Sequence, residues 1–158
     1  MGLVHDMRAV LQRVRRARVD VGERTVGEIG HGLLILLGVM QGDGEDEALM
    51  LADKIARLRI FSDDAGRLNR SLLDVSGSAL VVSNFTLAAN YTHGNRPDYF
   101  SGASPEIANT LYLRFIELLS QRLPCAHGEF GADMQLDMLA DGPVTIVMDT
   151  DVLKQKRK

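Results

Sequence analysis

Apolar and polar residues alternate from Arg8 to Val21, most clearly where Ala17, Val19 and Val21 interleave with Arg16, Arg18 and Asp20, and the run stops at Gly22. A period of two sends every second side chain to the same face, which predicts a strand. Thr25 to Gly30 follows after a short break and is positioned to fold back on it as a hairpin. Leu33 to Leu37 is apolar without interruption, the pattern of a central strand covered on both faces. The period then changes. Ala48, Leu51, Ala52, Ile55 and Leu58 make one helical stripe. Glu45, Asp46 and Glu47 stand at the end of that helix where its dipole favours negative charge, and Asp43 is the expected N-cap.

Asp63-Asp64-Ala65-Gly66 reads as a turn, and Ser76-Gly77-Ser78 leads into a second apolar strand, Ala79-Leu80-Val81-Val82. Residues 90–102 are polar and aperiodic, with Gly94, Pro97 and Gly102, and predict a long loop near the site that the end of this strand offers. Ser104 as N-cap and Pro105 at the first helical position open a second helix, with Ala108, Leu111, Phe115 and Leu118 inward and Pro124 closing it. The last strands span about Glu129 to Asp149. Met134, Leu136 and Met138 alternate with Gln135 and Asp137, then Val144, Ile146 and Met148 alternate in turn. Gly142-Pro143 separates the two runs and predicts a turn joining two strands, either an ordinary trans turn or a cis peptide, which X-Pro bonds alone adopt readily.

The pattern implies one mixed α/β domain with largely antiparallel sheets curled around a core and two main helices, and no internal repeat. Its bounds are a domain at residues 7–150, an N-terminal extension at 1–6 and a basic tail at 151–158.

Composition narrows the possibilities. A chain of 158 residues with 46% hydrophobic content suits a single domain with a sizeable core. The longest apolar run is too short for a bilayer, no signal peptide is visible, and Met1-Gly2 is followed at the sixth position by Asp6 rather than Ser or Thr. A soluble, cytosolic protein without a membrane partner is expected. The formal net charge of −3 argues against bulk electrostatic coating of nucleic acid, and no DNA partner is expected. Locally, Arg13, Arg15, Arg16 and Arg18 crowd the first strand, and Lys154, Lys156, Arg157 and Lys158 form a basic end that usually stays solvated.

Conventional catalysts are scarce. His5, His31, His93 and His127 lack the spacing of a metal site, and no metal or cofactor is expected. Cys125, the single cysteine, has no recognisable partner base. There is no nucleophile elbow, Walker loop or Gly-x-Gly-x-x-Gly. Any activity must lean on backbone groups and on the substrate. Two segments offer such groups: Ser83-Asn84-Phe85-Thr86-Leu87, where hydroxyls and fresh N–H donors end a buried strand, and Gly142-Pro143, whose carbonyls can grip an ammonium group. Strand-end Ser and Thr also form ordinary turns.

Together these segments resemble the paired signatures of the D-aminoacyl-tRNA deacylases, Ser-Gln-x-x-Thr and Asn-x-Gly-Pro-x-Thr. Arg59-Ile60-Phe61-Ser62-Asp63 with Gly66 and Asn69, Arg96-Pro97, Gly102-Ala103-Ser104-Pro105 and Phe130 to Gln135 extend the resemblance in the same order, from about Met7 to about Thr150. Asn84 stands where the family has Gln, and Ala140 where it has Asn. The resemblance implies hydrolysis of the ester joining a D-amino acid, or glycine, to the 3′ end of tRNA. It makes Thr86, Phe85 and Ser83 the catalytic segment, with Phe85 and Thr86 N–H groups for the oxyanion, Thr86 positioning substrate, and Asn84, Gly142, Pro143 and Arg13 binding it. It further implies a homodimer in which a cis Gly142-Pro143, held by Arg13, reaches the partner's site and excludes L-amino acids. The rivals are a non-catalytic tRNA-binding module and a homodimer that binds a small amine; for Arg13 the rival is an ordinary surface arginine.

Overall fold

The computed structural model describes residues 6–155. The expectations for Met1-Gly2, His5, Lys156, Arg157 and Lys158 lie outside the described residues. The opening alternation is β1 (Arg8–Val21), flanked antiparallel by β2 (Arg24–Ile29) along Ala17 to Val21 and by β3 (Gly32–Gly38) along Arg8 to Val14. After α1 (Glu45–Arg57) comes a small hairpin, β4 (Phe61–Ser62) and β5 (Leu68–Arg70). Next are β6 (Ser78–Ser83), α2 (Pro105–Ser120), β7 (Cys125–His127), β8 (Gln135–Asp149) and α3 (Thr150–Lys154). The main sheet runs β2-β1-β3-β6-β7, with β8 also paired to β1. Three of its pairings are antiparallel; β3 with β6 and β6 with β7 are parallel.

The uninterrupted apolar strands have a structural reason. On β3, Leu33, Ile35 and Leu37 face one core together with α1 and α2, whereas Leu34 faces a second core with Val14, Val19, Leu80 and Val82. The sheet curls around this second core until β2 meets β7. A Cβ at Gly27 would stand 2.5 Å from the His127 carbonyl oxygen, so only glycine permits that approach. On the helical side, the Tyr112 hydroxyl of α2 donates to the Val81 carbonyl at 3.0 Å and contacts that of Gly128 at 3.3 Å, pinning the helix over β6.

Three expectations need correction. The C-terminal runs are not a hairpin but one continuous strand, β8, antiparallel to β1 on both sides of Gly142-Pro143. Gln12 faces Thr145 while Val14 already faces Ala140, so the intervening residues leave the ladder as a bulge. Proline, lacking an N–H, is tolerated at such a point on an edge strand. The N-cap of α1 is Gly44 and not Asp43; Glu47 Oε1 accepts from the Gly44 N–H at 2.7 Å.

Asp43 instead staples chain segments. Its carboxylate accepts from Met7 N–H at 3.0 Å and from Met40 N–H at 2.6 Å. Lys154, expected in a solvated basic end, is instead the last residue of α3 and bridges Asp6 at 3.0 Å and Glu47 at 3.1 Å beside it. Burial pushes the Asp43 carboxyl up to about 7, outweighing the two N–H donors, with Asp6 and Glu47 adding to the rise. The folded chain therefore retains a proton that the unfolded chain releases near 3.8. This contribution to stability is complete below that value and is lost as pH rises through about 7. Thermal midpoints between pH 5 and 8 are expected to decline more steeply in the natural chain than in Asp43→Ala; equal slopes would refute the assignment.

Candidate active site

β6 delivers the Ser83-Asn84-Phe85-Thr86 segment to the end of the sheet. Its parallel register with β3 runs from Gly32 opposite Ser78 to Leu37 opposite Ser83, and the Asn84 N–H extends it by donating to the Leu37 carbonyl at 2.8 Å. The chain then tightens into a 3-10 turn, Phe85–Ala88. Asn84, in extended conformation, is its N-cap: Oδ1 accepts from the Thr86 N–H at 3.3 Å and also from the Thr86 hydroxyl. The turn packs on the end of β3, where a Cβ at Gly38 would meet Leu87 Cβ at 2.8 Å.

Beside this turn lies a cavity of about 540 Å³. Leu36, Val39 and Val82 give it apolar walls, Ser83 and Asn84 supply polar groups with Phe85 next to them, and Phe130 and Met134 line it from the segment before β8; Thr86, exposed on the following turn, is not among its lining residues. The loop 90–102 contributes Tyr99, whose ring meets that of Phe85 edge-on at 5.1 Å. That loop is tied down rather than loose. Asn90 and Asp98 exchange backbone hydrogen bonds of 2.8 and 2.9 Å, Gln41 N–H donates to Ser101 at 2.8 Å, and Ala103 N–H donates to Val39 at 3.0 Å. Ser104 Oγ caps α2 by accepting from Ile107 N–H at 3.4 Å, with Pro105 at its start.

The second expected segment stands apart from this cavity within one chain. The Gly142-Pro143 bond is cis, both residues are exposed, and neither lines the cavity. Arg13 holds the segment from behind. It is buried rather than a surface arginine, with Nε donating to the Asp141 carbonyl at 3.1 Å, Nη1 donating to the Ile60 carbonyl at 3.0 Å, and the Asp141 carboxylate 3.5 Å away. Other first-strand arginines are also engaged by carboxylates: Arg15 by Asp141 at 3.7 Å, Arg18 by Asp20 at 3.3 Å and by Asp137 at 3.4 Å. Ala140 is exposed and faces Val14 across the ladder.

Conventional catalytic groups are occupied elsewhere. His31 packs edge-on against Phe61 at 5.2 Å, and His127 Nδ1 lies 2.7 Å from the Gly128 carbonyl. Burial pushes the Cys125 thiol up, away from thiolate chemistry. Among the described residues no three His, Cys, Asp or Glu side chains converge as a metal-binding group, and no helix is long and apolar enough to cross a membrane. Sequence reasoning did not assign Tyr99, Phe130 and Met134 to a cavity, because they are contributed by segments distant in the chain. The Asn84 cap did carry a local signal: Asn two residues before Thr is the spacing of an Asx turn.

A family model described as D-Tyr-tRNA(Tyr) deacylase matches residues 10–149. A D-aminoacyl-tRNA deacylase of Cereibacter sphaeroides is 54% identical over 145 residues, covering 91% of this chain and 100% of that protein. One from Roseiflexus castenholzii is 55% identical over 153 residues, 96% of this chain and 97% of its own. A solved structure named c-Myc DNA Unwinding Element Binding Protein superposes with a TM-score of 0.85 at 38% identity, covering 89% of this chain and 97% of its own. Another, described as a probable eukaryotic D-amino acid tRNA deacylase, gives a TM-score of 0.80 over 90% of this chain and 98% of its own; at 15% identity it shares the fold.

Proposed function

The chain belongs to the D-Tyr-tRNA(Tyr) deacylase family, hydrolases that act on the ester bond of aminoacyl-tRNA, and from that premise we propose a chirally selective, homodimeric site in the cytoplasm. The 3′-terminal aminoacyl group enters the cavity beside Ser83, Asn84 and Phe85. Gly142 and Pro143 of a second copy offer their carbonyls to its α-ammonium group. With the ammonium held there, an L side chain is driven into protein backbone, a D side chain points outward, and the hydrogen of glycine fits either way, so glycyl-tRNA is also a substrate. Side-chain identity then matters little.

The observation that carries this reading is the separation of the two segments within one chain. Gly142-Pro143 is exposed and braced from behind by buried Arg13, yet lies outside its own cavity. A second copy provides a route for the two to meet. The exposed apolar side chains of β8, among them Val147 at 76% and Leu139 at 45%, favour covering that strand with another chain.

The chemistry asks little of side chains. An ester already has a competent leaving group, so holding water in place and stabilising the oxyanion accounts for much of the acceleration. The first N–H groups of a helical turn have no intrahelical acceptor, which makes the Phe85 N–H the leading oxyanion donor. Thr86 positions, and the adjacent 2′-hydroxyl of the tRNA helps orient the water. Cleavage of D-aminoacyl-tRNA in single-turnover assays is expected to exceed that of the L form by at least about a hundredfold, the difference of roughly 3 kcal/mol that a backbone clash imposes. His93→Ala and Cys125→Ala are expected to retain the rate within about twofold. Equal D and L rates would remove the carbonyl mechanism, and a large loss in either variant would restore a conventional base or nucleophile.

A further inference from the structure

We propose that Asn84 fixes the polarity of the Thr86 hydroxyl, making it an obligate hydrogen-bond acceptor for the hydrolytic water; the inference rests on the deacylase reading above. Two donors converge on one atom of Asn84, the backbone N–H and the side-chain hydroxyl of Thr86. A backbone N–H can only donate, so the receiving atom is the amide oxygen and not the amide nitrogen. An amide oxygen has no proton to give. The hydroxyl must therefore donate its single proton to Asn84, and it faces everything else with lone pairs alone.

This assignment has chemical consequences. A hydroxyl whose proton rests on a neutral amide oxygen has no base to remove it, which argues against Thr86 as a covalent nucleophile. It is suited to accept from an O–H donor instead. A water hydrogen-bonded to Thr86 through one of its protons keeps its own lone pair for the ester carbonyl, and its position is set by the 3-10 turn rather than by a freely rotating side chain. The same amide oxygen also holds the Thr86 N–H, which sets Thr86 apart from Phe85: the oxyanion is left to Phe85, while the hydroxyl of Thr86 serves the nucleophile. Asparagine suits this task by its length. It closes an Asx turn over two residues, whereas glutamine carries one more methylene between backbone and amide.

The test is a double-mutant cycle on single-turnover hydrolysis of D-aminoacyl-tRNA, using Asn84→Ala, Thr86→Val and the pair, with Thr86→Ser as the conservative rescue. Each of the first two is expected to lower kcat about tenfold with KM altered less than about twofold. The double variant should be no more than about twofold slower than Thr86→Val, because the effect of the cap on turnover passes through the hydroxyl while its bond to the Thr86 N–H holds the turn, and Thr86→Ser should stay within about threefold of the natural chain. Multiplying losses, or a loss carried by KM, would overturn the proposal. Amide hydrogen exchange at Thr86 supplies a readout independent of turnover: it should accelerate in Asn84→Ala and remain slow in Thr86→Val. Unchanged exchange in Asn84→Ala overturns the proposal even if the enzyme is active. Failure of the natural chain to hydrolyse any D-aminoacyl-tRNA would refute the deacylase reading and the assignment to water, and accelerated exchange would then support the cap alone.

Discussion

Arg13→Ala is expected to cost about 3–4 kcal/mol of stability, because charge-assisted hydrogen bonds contribute roughly 1.5–3 kcal/mol each and their loss strands one buried and one half-buried carbonyl. The side chain reaches two parts of the fold at once, the Asp141 carbonyl in the β8 bulge and the Ile60 carbonyl at the edge of the β4–β5 hairpin. Alanine leaves both acceptors unmatched and opens a void behind Gly142. The functional loss should exceed what the folded fraction explains. Residues 141–144 have left the β1 ladder, and Arg13 is their brace from beneath. Freed of it, the carbonyls of Gly142 and Pro143 should wander, and a misplacement of about 1 Å in a positioned group can cost about a hundredfold in rate. Arg13→Lys keeps the charge but not the planar fork that spans two carbonyls, so it should fall between. Urea unfolding combined with D and L hydrolysis rates at full folding checks both parts. An Arg13→Ala protein with unchanged midpoint and unchanged D-to-L ratio would show that the arginine holds nothing of consequence.

How far the fold was legible in the sequence depended on whether the signal was local. β1, β3 and α1 follow from alternation, an uninterrupted apolar run and a helical stripe, each complete within its own segment. Ser104 and Pro105 mark the start of α2 because capping is chemistry between neighbours. Asp43 misled for an instructive reason: its side chain has the chemistry of a cap, but long-range geometry offers it the N–H groups of Met7 and Met40, and Gly44 takes the cap with help from Glu47. Gly142-Pro143 misled in the other direction. Gly-Pro between two alternating runs is the local signature of a turn, yet β1 is long enough to pair with both runs, and the pair becomes a bulge within one strand. At the site, the strand-end hydroxyls were legible one by one. That Phe85 would meet Tyr99, or that Phe130 and Met134 would wall the same cavity, depends on chain segments converging from different distances, and no local period records that.

Gly32→Ala is expected to be more damaging still than its conservative appearance suggests, with a loss of at least about 3 kcal/mol out of the roughly 5–15 kcal/mol that holds such a domain together. Gly32 opens β3, facing Val14 on one side and Ser78 on the other. A Cβ there would stand 1.8 Å from the Ser78 carbonyl oxygen and 2.8 Å from its carbon and nitrogen. All three are backbone atoms of the paired strand, so no rotamer change relieves the clash and the two strands must part. The damage should travel. The same β3–β6 register that begins at Gly32 and Ser78 ends at Leu37 and Ser83, where Asn84 still donates to Leu37. A wedge at one end therefore shifts the platform on which Phe85 and Thr86 sit, and the remaining folded protein should hydrolyse substrate more slowly per molecule. Gly30→Ala, two residues away, is the control: nothing lies within 4 Å of its Cβ position, and its cost should stay within about 0.5 kcal/mol. Urea midpoints of the two variants decide the matter, since equal midpoints would mean that β3 and β6 can separate at no cost and that their close contact does not set the position of the site.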